Sequence, residues 1–195
     1  MQTTVDARGL GCPTPVIKTK KALEGIEQGN VLTIVDNEIA KNNVAKLAQS
    51  MNLECHIVED GNEFYIDITK SVSEQVQSVD TGDLFDTAVL VTSQYFGSGD
   101  DDLGEILMKG YFYTLAESDL VPKAIMFLNG GVKLTVEGSP ILKDLKALEA
   151  KGVEIISCGT CLDFFNLTSD LGVGGISNMY TIVEHMNNCK KVVRL

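Results

Sequence analysis

The sequence predicts an α/β protein in two parts. The first is an N-terminal two-layer sandwich in the order β-α-β-α-β-β, and the second a C-terminal small, open, mainly parallel α/β sheet with helices on both faces. Three observations predict this. Over residues 1–70, strand-like segments alternate with amphipathic helical ones and end in a hairpin signal. Beyond residue 86 the apolar runs Ala88–Val91, Ala124–Leu128 and Val153–Ile156 are continuous rather than alternating, as in strands covered on both sides. Between these regions, residues 71–85 (SVSEQVQSVDTGDLF) are polar and lack a core pattern, which marks a linker. The expected domains are therefore 1–70 and 86–195.

Each element has a local reason. A short strand around Thr3–Val5 leads through Arg8-Gly9-Leu10-Gly11 into a helix expected to begin at Pro13, since the first helical position needs no N–H donor. Val16, Leu23 and Ile26 share a face of that helix, and Gly29 marks its expected end. Val31–Val35 reads as a strand. Asp36 or Asn37 then caps a helix with Ala40, Val44, Leu47, Ala48 and Met51 at helical spacing. His56–Val58 and Phe64–Ile68 flank the turn Glu59-Asp60-Gly61-Asn62, with Phe64, Ile66 and Ile68 on one face. In the second part, helical patterns near 102–118, 139–151 and 177–188 separate the apolar runs, and Val192–Val193 is a candidate fourth strand. Gly172-Val173-Gly174-Gly175 reads as a flexible approach to the helix expected at Ser177.

Charge and composition exclude several function classes. The net charge is −11 and both parts are acidic, with 7 basic against 10 acidic side chains in residues 1–70 and 9 against 17 thereafter. Nucleic-acid binding rests on cationic neutralisation of phosphate, and anionic membranes demand the same sign, so neither is expected. No apolar run approaches the roughly 20 residues of a membrane helix, and the N-terminus lacks a secretion pattern, so the cytoplasm is the expected compartment.

Five cysteines, Cys12, Cys55, Cys158, Cys161 and Cys189, are an odd number. A complete disulfide framework is thus excluded, and attention moves to thiol reactivity. With only His56 and His185 beside them, no metal site or cofactor is implied. Cys55 and Cys189 read as packed residues.

Cys12 precedes Pro13-Thr14-Pro15 at a helix start. Cysteine reacts as the thiolate, which unpaired helix N–H groups and the positive end of the dipole favour. Physical chemistry alone leaves a packed apolar Cys12 equally open. The longer segment Asp6-Ala7-Arg8-Gly9-Leu10-Gly11-Cys12-Pro13-Thr14-Pro15 resembles the signature of the TusA/SirA sulfur-carrier family. The resemblance covers residues 1–70. It implies the β-α-β-α-β-β fold and a Cys-Pro-x-Pro cysteine, Cys12, that accepts persulfide sulfur. Asp6 and Gly9 match the pattern too, and they read as a loop acceptor and a turn residue.

Ile155-Ile156-Ser157-Cys158-Gly159-Thr160-Cys161 sets a Cys-x-x-Cys pair at the carboxyl end of a buried strand, the edge where ligands gather in open α/β sheets. A dithiol redox couple, half a metal site, or one reactive thiol of two all fit the spacing. Zinc lacks a second ligand pair, and a thioredoxin-like reading lacks the long following helix. Residues 86–195 resemble DsrE/DsrF-like sulfur-relay domains, in which a reactive cysteine follows the third strand at the position of Cys158. The two domains in this order resemble the YedF proteins, described as sulfurtransferase-like and associated with selenium metabolism.

Two loops beside this edge invite other readings. Tyr95–Gly104 resembles a phosphate loop, but Asp100, Asp101 and Asp102 would repel phosphate and suit a helix first turn instead. Asn129-Gly130-Gly131-Val132 follows a strand and is expected at the same edge as Cys158.

The leading reading is a sulfurtransferase-like chalcogen carrier with Cys12 as acceptor and Cys158, resolved by Cys161, in relay or release. Its partners would be a cysteine desulfurase or other persulfide donor and a downstream acceptor protein, and the DsrE-like part would support a homo-oligomer. A non-catalytic redox-sensing or regulatory module using Cys158 and Cys161 is the alternative, and a dithiol oxidoreductase a third.

Overall fold

The computed structural model describes residues 2–71 and 86–195, which fall in two compact units, Met1–Ser78 and Val79–Leu195. Apart from Ser71, the expected linker lies outside the described residues.

The first unit runs β1 (Gln2–Asp6), α1 (Thr14–Glu24), β2 (Gly29–Val35), α2 (Glu38–Ser50), β3 (Glu54–Asp60) and β4 (Glu63–Lys70). Its four-stranded sheet has the order β1-β2-β4-β3, with β1 and β2 parallel across the α1 crossover and the other pairs antiparallel. The β3–β4 hairpin turns through Gly61 and Asn62, and Gly61 adopts a φ of 63° at the first loop position, where a type II′ turn favours glycine. Alternation in β2 and β4 sends Val31, Thr33 and Val35, and Phe64, Ile66 and Ile68, into one core. Leu23 of α1 and Ala40, Val44 and Ala48 of α2 cover them, so both helices pack on one sheet face.

Local bonds set the helix ends. The Asn37 side chain accepts the Ala40 N–H at 2.8 Å and starts α2. Helix α1 ends earlier than the glycine signal predicts, at Glu24 rather than near Gly29. There Lys70 Nζ donates to the carbonyls of Leu23 and Ile26, both at 2.8 Å, a cap supplied from 44 or more residues away. The buried Thr19 hydroxyl is satisfied by the Pro15 carbonyl at 2.8 Å and by Thr33 Oγ1 at 2.9 Å.

The second unit contains β5 (Thr87–Val91), α3 (Asp101–Ala116), β6 (Ala124–Phe127), α4 (Leu142–Ala150), β7 (Glu154–Cys158), α5 (Gly159–Phe164), β8 (Gly175–Ser177), α6 (Met179–Asn188) and β9 (Lys191–Arg194). Short 3₁₀ turns occupy Asn129–Leu134 and Thr168–Asp170. The five-stranded sheet has the order β8-β7-β6-β5-β9, and every described pairing is parallel. One face packs Val89, Val91, Ile125, Phe127 and Ile155 against α3 and α4. The other packs Ala88, Met126, Ile156 and Cys158 against Ile182 of α6. Continuous apolar strands are the consequence of this double coverage.

One expected loop is a strand. Gly175–Ser177, expected to join the end of a flexible glycine run at Gly175 to a helix start at Ser177, is the edge strand β8, paired with Ile156–Cys158. Its pairing comes entirely from β7, and a three-residue segment with one apolar side chain, Ile176, carries no period that could announce it. The α6 helix accordingly begins at Met179, capped by Asn178, whose side chain accepts the Thr181 N–H at 3.2 Å. Among the described residues no helix is long and apolar enough to cross a membrane.

Candidate functional site

Cys12 is exposed and lies just before α1. The loop that presents it is held at several points. Ala7, fully buried, donates its N–H to the Ile34 carbonyl at 2.9 Å. Asp6 accepts from the Arg8 main chain at 3.2 Å and from its guanidinium at 2.9 and 2.5 Å, while the same guanidinium reaches Glu63 at 2.9 Å. Gly9, with φ of 70°, donates its N–H to Asp36 at 2.7 Å. Asp6 and Gly9 therefore hold the loop acceptor and turn positions read for them. Arg8, first through its side-chain hydrogen bonds, pulls the Asp6 carboxyl down to about 2, and the Lys18 charge acts in the same direction.

The start of α1 differs from the expected one in a way that matters for the thiol. Pro13 caps the helix rather than opening it, the Cys12–Pro13 bond is cis, and Pro15 is the second helical residue. Neither proline has an N–H, and the Thr14 N–H donates to the Gly11 carbonyl at 3.0 Å. The prolines thus remove much of the donor set that a helix start ordinarily presents. The polar contact to the sulfur comes instead from Asn43 of α2, whose Nδ2 is 3.6 Å from Cys12 Sγ. Nothing in the sequence signals Asn43, which is one more polar residue on a helix.

In the second unit, Cys158 ends β7 and is 3% exposed, whereas Cys161, in the first turn of α5, is partly exposed. Cys161 Sγ accepts the Asn129 N–H at 3.1 Å, which places the Asn129–Val132 loop at this edge. Burial, and next the Cys158 thiol beside it, push the Cys161 thiol up, while the Asn129 N–H opposes them. Asn129 has a φ of 49°. Beside it Gly131 packs so tightly on β5 that an added Cβ would lie 2.3 Å from the Val91 carbonyl oxygen. The neighbouring Ser157 hydroxyl is buried and donates to Thr135 Oγ1 at 2.9 Å.

The remaining candidates resolve into structural roles. Asp100 caps α3 by accepting the Leu103 N–H at 2.9 Å, with Asp101 and Asp102 in the first turn, so that helix start is satisfied by its own carboxylate. Cys189 packs beside the Cys158 cluster. Cys55 departs from its expected packing. It is exposed on the edge strand β3, and its thiol is pushed up by partial burial and then by the Asp67 carboxylate. Among the described residues no group of three or more His, Cys, Asp or Glu is placed to hold a metal ion.

Residues 3–70 match the family described as sulfurtransferase TusA, and residues 114–195 the DsrE/DsrF-like family. The sulfur carrier protein TusA of Allochromatium vinosum is 35% identical over 69 residues, which are 34% of this chain and 91% of that protein. The chain belongs to the TusA sulfur-carrier family. Behind its TusA domain it bears a DsrE/DsrF-like one. A putative sulfur carrier protein, YrkI of Bacillus subtilis, is 38% identical over 47 residues, 24% of this chain and 63% of YrkI. One from Neisseria meningitidis serogroup A is 50% identical over 32 residues, 16% of this chain and 43% of its own length. The chain thus spans less than two thirds of these two relatives. Among solved structures, a SirA-like protein from Desulfitobacterium hafniense is 35% identical, covering 36% of this chain and 99% of its own, with a TM-score of 0.35. The E. coli YchN protein is 17% identical, covering 56% of this chain and 98% of its own, with a TM-score of 0.42.

Proposed function

We propose that this TusA-family chain is a chalcogen carrier in which Cys12 accepts sulfur as a persulfide and the Cys158/Cys161 pair takes part in its relay or release. The carrying observation is the exposure of Cys12 on a loop braced by Asp6, Arg8, Gly9 and Asp36, with Asn43 at 3.6 Å from the sulfur. Such a thiol can be reached by a partner's active site without rearrangement of the fold. In the transfer, the Cys12 thiolate attacks the terminal sulfur of a donor persulfide, a new S–S bond forms, and the donor thiolate leaves with the electron pair. No metal or general base enters the step.

The donor would be a cysteine desulfurase or a similar persulfide enzyme, and the acceptor a second protein thiol. A cytoplasmic setting, where thiols stay reduced, suits both. Selenium in place of sulfur is what the YedF resemblance alone implies, and the DsrE/DsrF-like part would support a homo-oligomer. Mass spectrometry after incubation with a cysteine desulfurase and cysteine tests the reading. A gain of one sulfur atom that disappears in Cys12→Ser supports it, and equal labelling of that variant overturns it.

A further inference from the structure

Cys158 and Cys161 are three residues apart but not equivalent. Cys158 is sealed among Ala88, Met126, Ile156 and Ile182, and is 3% exposed. Cys161 is the thiol with access to solvent, and a main-chain N–H is aimed at its sulfur from 3.1 Å. That donor is held by the chain around it. Leu128 donates its N–H to the Val91 carbonyl and Gly131 donates to the Leu128 carbonyl, both at 2.9 Å, and Gly131 has no room for a side chain. A fixed N–H of this kind stabilises negative charge on sulfur, whether it is attacking or leaving.

The geometry points to reductive release of the carried chalcogen by this pair, with Cys161 taking the terminal sulfur and Cys158 expelling it as hydrosulfide. The inference rests on the reading that Cys12 carries a persulfide, and it assigns the receiving role to Cys161, where the family resemblance favours Cys158. In the first step the Cys161 thiolate attacks the terminal sulfur of a persulfide R–S–SH. The Cys161 S–S bond forms, the R–S bond to that sulfur breaks, and R–S⁻ departs with the electron pair, so no net oxidation occurs. In the second step the solvent-accessible Cys161 persulfide has lost its proton, and Cys158 attacks Cys161 Sγ as its own proton passes to the departing terminal sulfur. A Cys158–Cys161 disulfide forms and the terminal sulfur leaves as HS⁻. The sulfane sulfur gains two electrons, and the two cysteines lose them.

Burial limits what Cys158 can attack. It is closed off from any protein persulfide, whereas the Cys161 sulfur lies one helical turn along the chain. Hydrosulfide is also a weaker base than an alkyl thiolate and leaves more readily. An external dithiol reductant returns the pair to its thiol form.

The test uses full-length Cys12→Ser protein, held without oxygen and treated with glutathione persulfide. Hydrosulfide is read with a sulfide electrode and sites by peptide mapping, against a Cys158→Ser/Cys161→Ser background. Hydrosulfide should appear in step with the Cys158–Cys161 disulfide. Adding Cys161→Ser should remove both, and adding Cys158→Ala should trap one extra sulfur on Cys161 while release falls at least about tenfold. An extra sulfur on Cys158 in the Cys161→Ser background, or undiminished release from either variant, would overturn the inference. A measurement free of changes to the pair accompanies these: limited iodoacetamide should modify Cys161 at least about tenfold faster than Cys158, and equal or reversed rates count against it. Because Cys12 is absent here, these outcomes are independent of the carrier reading. Desulfurase labelling of Cys12 in the Cys158→Ser/Cys161→Ser protein tests that reading alone.

Discussion

The two thiol sites are built in opposite ways. Cys12 lies outside its core, on a loop whose bracing bonds are exposed ion pairs and turn contacts. Cys158 ends a buried strand and Cys161 follows in the first turn of α5, and their surroundings come from β5, β6, the turn after β6 and α6, segments far apart in the chain. Presenting an exposed thiol takes only bonds at the rim of the fold, from Asp6 nearby and from Asp36 and Glu63 further along the chain. A pair of unequal thiols needs one sulfur covered and the other supplied with a donor, which requires a packed sheet edge.

That contrast can be broken by substitution. Cys158→Ser places a hydroxyl in an apolar cluster and should cost about 1–3 kcal/mol in urea denaturation, whereas exposed Cys12→Ser should stay within about 0.5 kcal/mol. Equal costs would abolish the distinction between presented and buried sulfur. Gly131→Ala should destabilise by about 1–3 kcal/mol as its Cβ meets the Val91 carbonyl, and the displaced Asn129 N–H should lessen the reactivity difference between Cys161 and Cys158. At the first site the corresponding change is mild. Asn43→Leu should slow alkylation of Cys12 by about fivefold, the equivalent of one hydrogen bond of about 1 kcal/mol, with no shift in the denaturation midpoint.

The pH dependences sharpen the comparison further. Burial and the Cys158 thiol raise Cys161 above its ordinary 9.0, so its alkylation should still climb as pH passes that value. A plateau below it would show that the Asn129 N–H outweighs burial. Asp6 is displaced the other way, from 3.8 to about 2 by Arg8. A lowered folded-state value means that its contribution to stability is present above 3.8 and is lost as pH falls through about 2. Arg8→Met should therefore flatten the denaturation midpoint between those limits, the smallest effect in this set because the pair is exposed.

Much of this was legible in the residues. The paired periodicities of β2, α2 and β4, the hairpin at Gly61 and the continuous runs of β5, β6 and β7 follow from side-chain patterns that local geometry must obey. The end of α1 and the strand β8 were not legible, because Lys70 and β7, distant in sequence, supply the bonds that define them. Cys55 is exposed rather than packed for the same reason: its strand is a sheet edge, which only the strand order decides.

By itself, the sequence determined the two-part α/β order, the Cys-Pro-x-Pro cysteine at a helix start and the Cys-x-x-Cys pair at a strand end, all properties carried by neighbouring residues. Tertiary structure alone decided that Asn43 faces Cys12, that Asn129 rather than the thiol's own helix serves Cys161, and that Cys158 is the covered member of its pair. Each of these depends on which distant segment closes over the sulfur, and burial and donor direction are set by packing across the fold rather than along the chain.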